Sequence, residues 1–241
     1  MVLIGKMGQE VANKARITEG VEVFAGVDVK DSGDNFFPVY TDLNDIKEMP
    51  DVIIDFSVPE ASFKILEFAK KNKIPAVIAT TGFTDDELKR VREYGKEIPI
   101  FQSYNMSYSV SVMCKLVAEL VKKFENSDIE IVETHHRRKI DSPSGTALLL
   151  ANSINEALDG KMEYEYDRHS KREKRKDNEI GIHSIRGGTE SGTHSVIFFG
   201  DDESLEITHR ATSRVVFADG AIKAAKFLSH KDPGVYTMKD I

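Results

Sequence analysis

Cysteine is nearly absent from this sequence: among 241 residues there is one, Cys114. A single thiol excludes a disulfide framework within the chain and a cysteine-based zinc site. Long apolar runs are also missing. None approaches the roughly 18–20 residues that a membrane span needs, and the opening MVLIGKMG meets glycine and lysine too soon for a signal-peptide core. The expectation is a cytoplasmic protein without membrane association. Cationic excess is absent too: 33 Lys+Arg against 40 Asp+Glu give a net charge of −7, which argues against a general nucleic-acid binder. There is no internal repeat. What is present, 40% hydrophobic and 30% charged residues, is enough for a full-sized core. At roughly 100–200 residues per domain, the length suggests one large domain or two small ones.

The first hundred residues alternate strand and helix signals. Met1–Ile4 is a short apolar run entering a glycine turn, Gly8–Thr18 reads as helix, and Val21–Val27 as a strand ending at Asp28. Asp51–Phe56 and Pro75–Ala79 have buried-strand patterns, with a helix over Glu60–Asn72 that Pro59 helps to start. Thr84–Lys96 reads as helix and Ile98–Phe101 as strand. Such alternation implies βαβ units, right-handed crossovers and a parallel sheet covered on both faces. The pattern then changes. After helix Ser109–Phe124, strand Asp128–Glu133 and helix Thr146–Leu158 come three strands in succession, Glu179–Arg186, Thr193–Phe199 and Ser204–Arg210. Strands without intervening helices suggest an open sheet. Phe217–Leu228 is a closing helix and Asp232-Pro233-Gly234 a turn. The fold expected is α/β: a Rossmann-type doubly wound domain over 1–105 and 213–241, and a smaller α+β domain with an open mixed sheet over 106–212.

Two segments carry chemistry. Gly5-Lys6-Met7-Gly8 stands where a dinucleotide fold places its phosphate-binding turn, and Asp28, 20 residues beyond Gly8, stands where an acidic residue takes a ribose hydroxyl. Asp28 favours NAD, and Lys30 could offset its repulsion of a 2′-phosphate, so both nicotinamide dinucleotides stay open. Ala79-Thr80-Thr81-Gly82 follows another strand, where ligands of doubly wound sheets bind; it also reads as the approach to a helix cap at Thr84. Asn105 and Ser107 follow the next strand and read similarly.

The second segment is Glu133-Thr134-His135-His136-Arg137-Arg138-Lys139-Ile140-Asp141-Ser142-Pro143-Ser144-Gly145-Thr146-Ala147. Five consecutive residues, His135 to Lys139, can carry positive charge, and Ser144-Gly145-Thr146 opens a helix whose amides form an anion site. Together they describe a pocket for an acidic small molecule. His135 or His136 could serve as acid or base near neutral pH, and Lys139 could donate a proton. Joint metal ligation by the two histidines is disfavoured, because neighbours on a strand point to opposite faces; no metal is expected.

ETHHRRKIDSPSGTALLLA closely resembles the signature E-x-H-H-x-x-K-x-D-x-P-S-G-T-A of the dihydrodipicolinate reductase family. GKMGQEV, DVIIDFSVPEA, the TTGF turn, YNMSYSVSV, EIGIHSIRGG and LEITHRATSRVVFADGA extend the resemblance over nearly the whole chain. It implies an N-terminal dinucleotide-binding domain, a C-terminal substrate-binding and tetramerisation domain, and a final helix returning to the first. The implied activity is reduction of a cyclic unsaturated imine dicarboxylate by NADH or NADPH, in the diaminopimelate route to lysine, by a cytoplasmic homotetramer. Carried onto this chain, the resemblance makes His135 the proton donor/acceptor and Lys139 a second proton donor. His136, Ser144, Gly145 and Thr146 bind the substrate. Gly5, Lys6, Met7, Gly8, Asp28, Ala79, Thr80, Thr81, Ser103, Tyr104, Asn105 and Met106 contact the cofactor.

The sequence departs from the family pattern in four places. The match begins inside the glycine motif, as a misassigned start or a truncated gene would produce, and this favours an alternative reading as a non-catalytic dinucleotide- or dicarboxylate-binding protein. Ala79 replaces a usual glycine, the 187–194 segment GGTESGTH lacks the usual acidic residues, and Arg168–Lys176 lacks glycines. That last run, with six Lys or Arg, reads as a mobile loop over the substrate site. His169, His183, His194 and His209 stand singly and read as ordinary polar residues, and Cys114 as a small core residue.

Overall fold

The computed structural model describes residues 1–3, 5–30, 33, 35–124 and 126–241, with Val2 and Leu3 as backbone. The apolar run expected over 1–4 therefore ends, at Ile4, outside the described residues. In chain order the elements are β1 (Val2–Leu3), α1 (Lys6–Arg16), β2 (Gly26–Val27), β3 (Val39–Tyr40), β4 (Ile53–Asp55), α2 (Pro59–Asn72), β5 (Ala76–Ile78), α3 (Asp85–Tyr94) and β6 (Pro99–Gln102). Then come α4 (Tyr108–Leu120), β7 (Asp128–His135), α5 (Gly145–Ala157), β8 (Glu163–Glu165), β9 (Glu179–Arg186), β10 (Thr193–Phe199) and β11 (Ser204–Arg210). The chain closes with α6 (Val215–Leu228) and β12 (Gly234–Tyr236). It divides into two compact units, Met1–Ser107 with Arg214–Ile241, and Tyr108–Ser213.

The first unit is a seven-stranded sheet in the order β12-β6-β5-β4-β1-β2-β3, parallel throughout. The strand order reverses between β1 and β4, the switch point at which doubly wound folds bind ligands. Side-chain alternation builds a core on each face. Ile54, Val77 and Phe101 meet Val11, Ala12 and Ala15 of α1 and Ala221, Ala224 and Leu228 of α6. Their strand neighbours Ile53, Ala76, Ile78 and Ile100 meet Ile65, Leu66 and Ala69 of α2 and Val91 and Tyr94 of α3. Local chemistry sets the helix starts: Pro59 opens α2, and Thr84 and Glu87 form a reciprocal capping box on α3. Gly220 sits where α6 crosses the 105–107 backbone; a Cβ there would fall 1.6 Å from the Met106 carbonyl oxygen.

The strand expected over Val21–Val27 is confined to Gly26–Val27, because only those residues pair with β1. Gly234 of the expected turn begins β12 instead, pairing with Pro99 of β6.

The second unit is a five-stranded mixed sheet, β11-β10-β7-β9-β8. β7 runs parallel to β9 and antiparallel to β10. One face is covered by α4 and α5: Val110, Met113, Cys114 and Val117 join Leu150, Ala151 and Ile154 over Ile129, Ile131, Ile180, Ile182, Val196 and Phe198. The basic run is not a free cationic loop. Arg168 pairs with Glu179, Lys171 with Glu165, Arg175 with Asp128 and Glu130, and Lys176 with Glu163. Acidic residues around strands β7, β8 and β9 fasten four of its six cations.

Candidate active site

Along β7, Ile129, Ile131, Glu133 and His135 fall on one face, two apolar residues and then two polar ones, all buried. The neighbouring strands do the same. Register sets Ser184 of β9 and His194 of β10 opposite Glu133, and Arg186 opposite His135. The stripe that packs under α4 and α5 thus ends in a polar cluster. The first turn of α5 joins it, with Ser144 N donating to Glu133 Oε1 (3.1 Å).

Glu133 is the hub. Its Oε1 also accepts from Ser184 Oγ (2.7 Å) and Arg186 Nη2 (2.7 Å). Oε2 accepts from Arg186 Nη1 (2.8 Å) and lies 2.5 Å from His135 Nδ1. Burial alone would raise this carboxyl's pKa; the bonds from His135, Arg186 and Ser184 outweigh it and hold the group well below the usual carboxylate range. An ionised Glu133 therefore fixes His135 through Nδ1 and leaves Nε2 to exchange protons. Gly192, at φ +156°, runs beside that nitrogen: a Cβ there would lie 3.0 Å from His135 Nε2.

His194 stands edge-on to His135, with ring centroids 5.1 Å apart and planes at 74°. Its Nε2 is hydrogen-bonded to Ser144 Oγ (2.8 Å). Burial first, and then the nearby His135, lower its pKa to about 3, so the ring is neutral at neutral pH. Ser144 Oγ also accepts from Ala147 N (3.2 Å), capping α5. Lys139 Nζ donates to Asp141 (2.9 Å). Burial opposes ionisation of Asp141, but the bond from Lys139 keeps its carboxyl below the ordinary range. His136 N donates to Glu190 O (2.8 Å), tying the cationic turn to the 187–192 segment.

In the first unit, Gly5 is the N-cap residue of α1, with no capping side chain among the described residues and no acidic residue in the first turn. A Cβ on Gly5 would meet nothing within 4 Å. A helix N-terminus that meets no compensating anion among the described residues fits a pyrophosphate. A cleft of about 870 Å³ is lined by Gly5, Asp28, Asn44, Phe56 and Val58 among others, beyond the carboxyl ends of β1, β2 and β4. Those residues fit a dinucleotide. A second cavity, about 740 Å³, lies by residues that precede β2 and β4 and touches none of the expected site residues.

Below the cleft, fully buried Asp55 accepts from Ser57 N (2.8 Å) and lies 2.5 Å from Ser62 Oγ, itself 3.0 Å from Thr80 Oγ1. Burial raises the Asp55 pKa against those hydrogen bonds.

The expected residues fall into two groups. His135, His136, Lys139, Ser144, Gly145 and Thr146 belong to the second unit, and the cofactor set to the first. Within the cofactor set, Lys6, Thr81 and Tyr104 are exposed, and Gly8 and Ala79 are buried. Met7 packs against the core, and Asp28 Oδ1 accepts from Val29 N (2.6 Å). The Thr80 hydroxyl is engaged internally by Ser62, Ser103 Oγ donates to Asn105 O (2.7 Å), and the Met106 side chain is core. Sequence reasoning missed Arg186 and the pairing of His194 with Ser144. The signal was the period-two stripe of β9 and β10 running from apolar into polar residues.

Residues 3–106 match the family described as "Dihydrodipicolinate reductase, N-terminus", and residues 109–241 match "Dihydrodipicolinate reductase, C-terminus". The 4-hydroxy-tetrahydrodipicolinate reductase of Caldanaerobacter subterraneus subsp. tengcongensis is 54% identical over 237 residues, spanning 98% of this chain and 94% of the relative. That of Clostridium tetani is 44% identical, spanning 97% and 92%. Among solved structures, dipicolinate-bound dihydrodipicolinate reductase from Paenisporosarcina sp. TG-14 superposes with a TM-score of 0.80 at 27% identity, covering 100% of this chain and 98% of that one.

Proposed function

This chain belongs to the dihydrodipicolinate reductase family, and from that membership we propose how its residues divide the work of the reaction. The protein is an NAD(P)H-dependent oxidoreductase with 4-hydroxy-tetrahydrodipicolinate reductase activity, in lysine biosynthesis through diaminopimelate. NADH or NADPH supplies a hydride when bound. The substrate ring loses water to give a conjugated imine dicarboxylate whose electron-poor carbon accepts that hydride. The negative charge that develops moves toward the ring nitrogen, and a proton completes the reduction.

The Glu133–His135 pair carries this reading. His135 Nε2 is the proton donor and acceptor, and ionised Glu133 stabilises the imidazolium. Lys139, moving off Asp141, neutralises developing charge and is the second proton donor, to the hydroxide that leaves the ring as water. His136, Ser144 and the first-turn amides of Gly145 and Thr146 take the substrate carboxylates. Gly5 to Gly8 receive the pyrophosphate and Asp28 a ribose hydroxyl, while Ala79–Thr81 and Ser103–Met106 contact the remainder, Thr80 and Met106 through backbone. Residues 1–105 with 213–241 form the dinucleotide-binding domain, and 106–212 the substrate-binding and oligomerisation domain. The assembly is a homotetramer, for which the exposed Ile185 and Phe199 on the sheet face away from α4 and α5 supply apolar surface. It works in the cytoplasm, where a single buried thiol stays reduced.

The test is loss of 340 nm absorbance from NADH or NADPH, with substrate generated in situ from pyruvate and aspartate semialdehyde by the preceding synthase. His135→Gln and Lys139→Ala should each lower kcat by about 10²-fold or more with cofactor Kd unchanged. Wild-type turnover in either variant would remove that residue from its role.

A further inference from the structure

His194 is 4% exposed, conjoins two residues of the site, and has no part in the chemistry assigned above. A neutral imidazole carries one N–H, and its position can be decided. Nδ1 of His194 is buried with no hydrogen-bond partner among the described residues. An N–H placed there would be an orphaned buried donor, the rarest kind of unsatisfied group, whereas a bare acceptor nitrogen is tolerated better. Nε2, in contrast, lies 2.8 Å from an oxygen. With the proton on Nε2 and donated to Ser144 Oγ, the donor left over is the Ser144 hydroxyl, which, unlike a sealed Nδ1–H, a bound carboxylate can satisfy.

This decides what Ser144 can do. A hydroxyl has two acceptor lone pairs and one proton. One lone pair takes the Ala147 amide and the other takes His194. Both acceptor sites are filled, so the hydroxyl proton is left to be given away. We propose that His194 is a positioning residue that converts Ser144 into an obligate donor toward a substrate carboxylate, selecting an anionic oxygen over a neutral donor at that place. The proposal rests on the reading of Ser144 as a substrate contact. His194 is placed for it by strand register opposite Glu133, which also holds the Ser144 amide, so the serine is gripped at backbone and side chain.

The test measures dipicolinate binding by calorimetry with saturating NADH, alongside Tm and NADH Kd, for His194→Leu, His194→Gln, Ser144→Ala and the double variant His194→Leu/Ser144→Ala. The His194→Leu variant should bind dipicolinate about tenfold or more weakly with NADH Kd unchanged. The His194→Gln variant, whose amide can donate from the same place, should recover most of the affinity. The double variant should bind like Ser144→Ala, because without the hydroxyl His194 has nothing to orient. Additive losses, or equal weakening by Leu and Gln that tracks Tm, would overturn the proposal and leave the substrate reading intact. If Ser144→Ala bound dipicolinate like the wild type, the reading of Ser144 as a substrate contact would fail first, and the proposal with it.

Discussion

Replacing Glu133 with glutamine removes one charge and almost no volume, so its cost can be worked from the five contacts of the carboxylate. With the new NH₂ at the Oε1 position it faces Ser144 N, Ser184 Oγ and Arg186 Nη2. With the NH₂ at Oε2 it faces His135 Nδ1 and Arg186 Nη1. In both rotamers at least two donors lose their acceptor, and Arg186, mostly buried, loses its counter-ion. Breaking a buried ion pair from one side costs about 3–5 kcal/mol. For a chain of this size that is a fall of about 6–20 °C in Tm, within reach of a total stability of roughly 5–15 kcal/mol, so the variant should still fold. Turnover suffers separately, because His135 loses the anion that orients it and stabilises its cation. The expected loss is about 10²–10⁴-fold in kcat, the usual worth of a positioned acid–base group. Differential scanning fluorimetry and the 340 nm assay at 25 °C read both. A variant within about threefold of wild-type kcat would show that the Glu133–His135 pair does not orient the proton-transferring group.

Two further outcomes follow from packing and charge. Gly220→Ala drives a methyl into the Met106 carbonyl; overpacking of this kind costs about 1–3 kcal/mol or more, and the displaced 105–107 backbone should raise the NADH KM. An unchanged Tm would mean that α6 moves aside freely. Acid should weaken the fold from about pH 6.5 downward. The folded pKa of His194 is near 3 against an ordinary 6.5, so the unfolded chain takes up the proton first, and stability is full above 6.5 and lost as pH falls toward 3. Glu133, also depressed, adds its loss below the ordinary carboxylate range. At pH 5 the histidine accounts for about 2 kcal/mol in urea unfolding. His194→Leu should lack that slope between pH 7 and 5, and an identical slope would refute the assignment.

The long strands were legible in the sequence because alternation over seven or eight residues is hard to mistake: β9, β10 and β11 run over the residues their patterns predict. β3, β8 and β12 were not, since two or three residues carry no period. Their pairing is decided by sheets assembled from distant segments. The cationic segment was legible for a different reason, a dense local run of titratable groups. Arg186 and His194 lie 53 and 61 residues beyond Glu133. Nothing local links them to it; strand register does. The basic run 168–176 misleads in the opposite sense, because its partners Glu130, Glu163 and Glu179 are scattered along the chain and its fastening is visible only in the sheet.

The second unit interrupts the first in sequence, and this imposes an order on synthesis. Residues 1–107 emerge from a ribosome with β6 as a sheet edge and with Val11, Ala12 and Ala15 of α1 lacking α6. At about 5–20 residues per second, residues 108–213 hold that state open for roughly 5–20 s before α6 and β12 arrive. The unit begun first is therefore completed last, and the unit begun second, contiguous in sequence, can close by itself meanwhile. Any event that stops translation after residue 213 would leave a finished inner unit attached to an outer one with a bare edge and an uncovered apolar helix face, the form most prone to pair with its own copies.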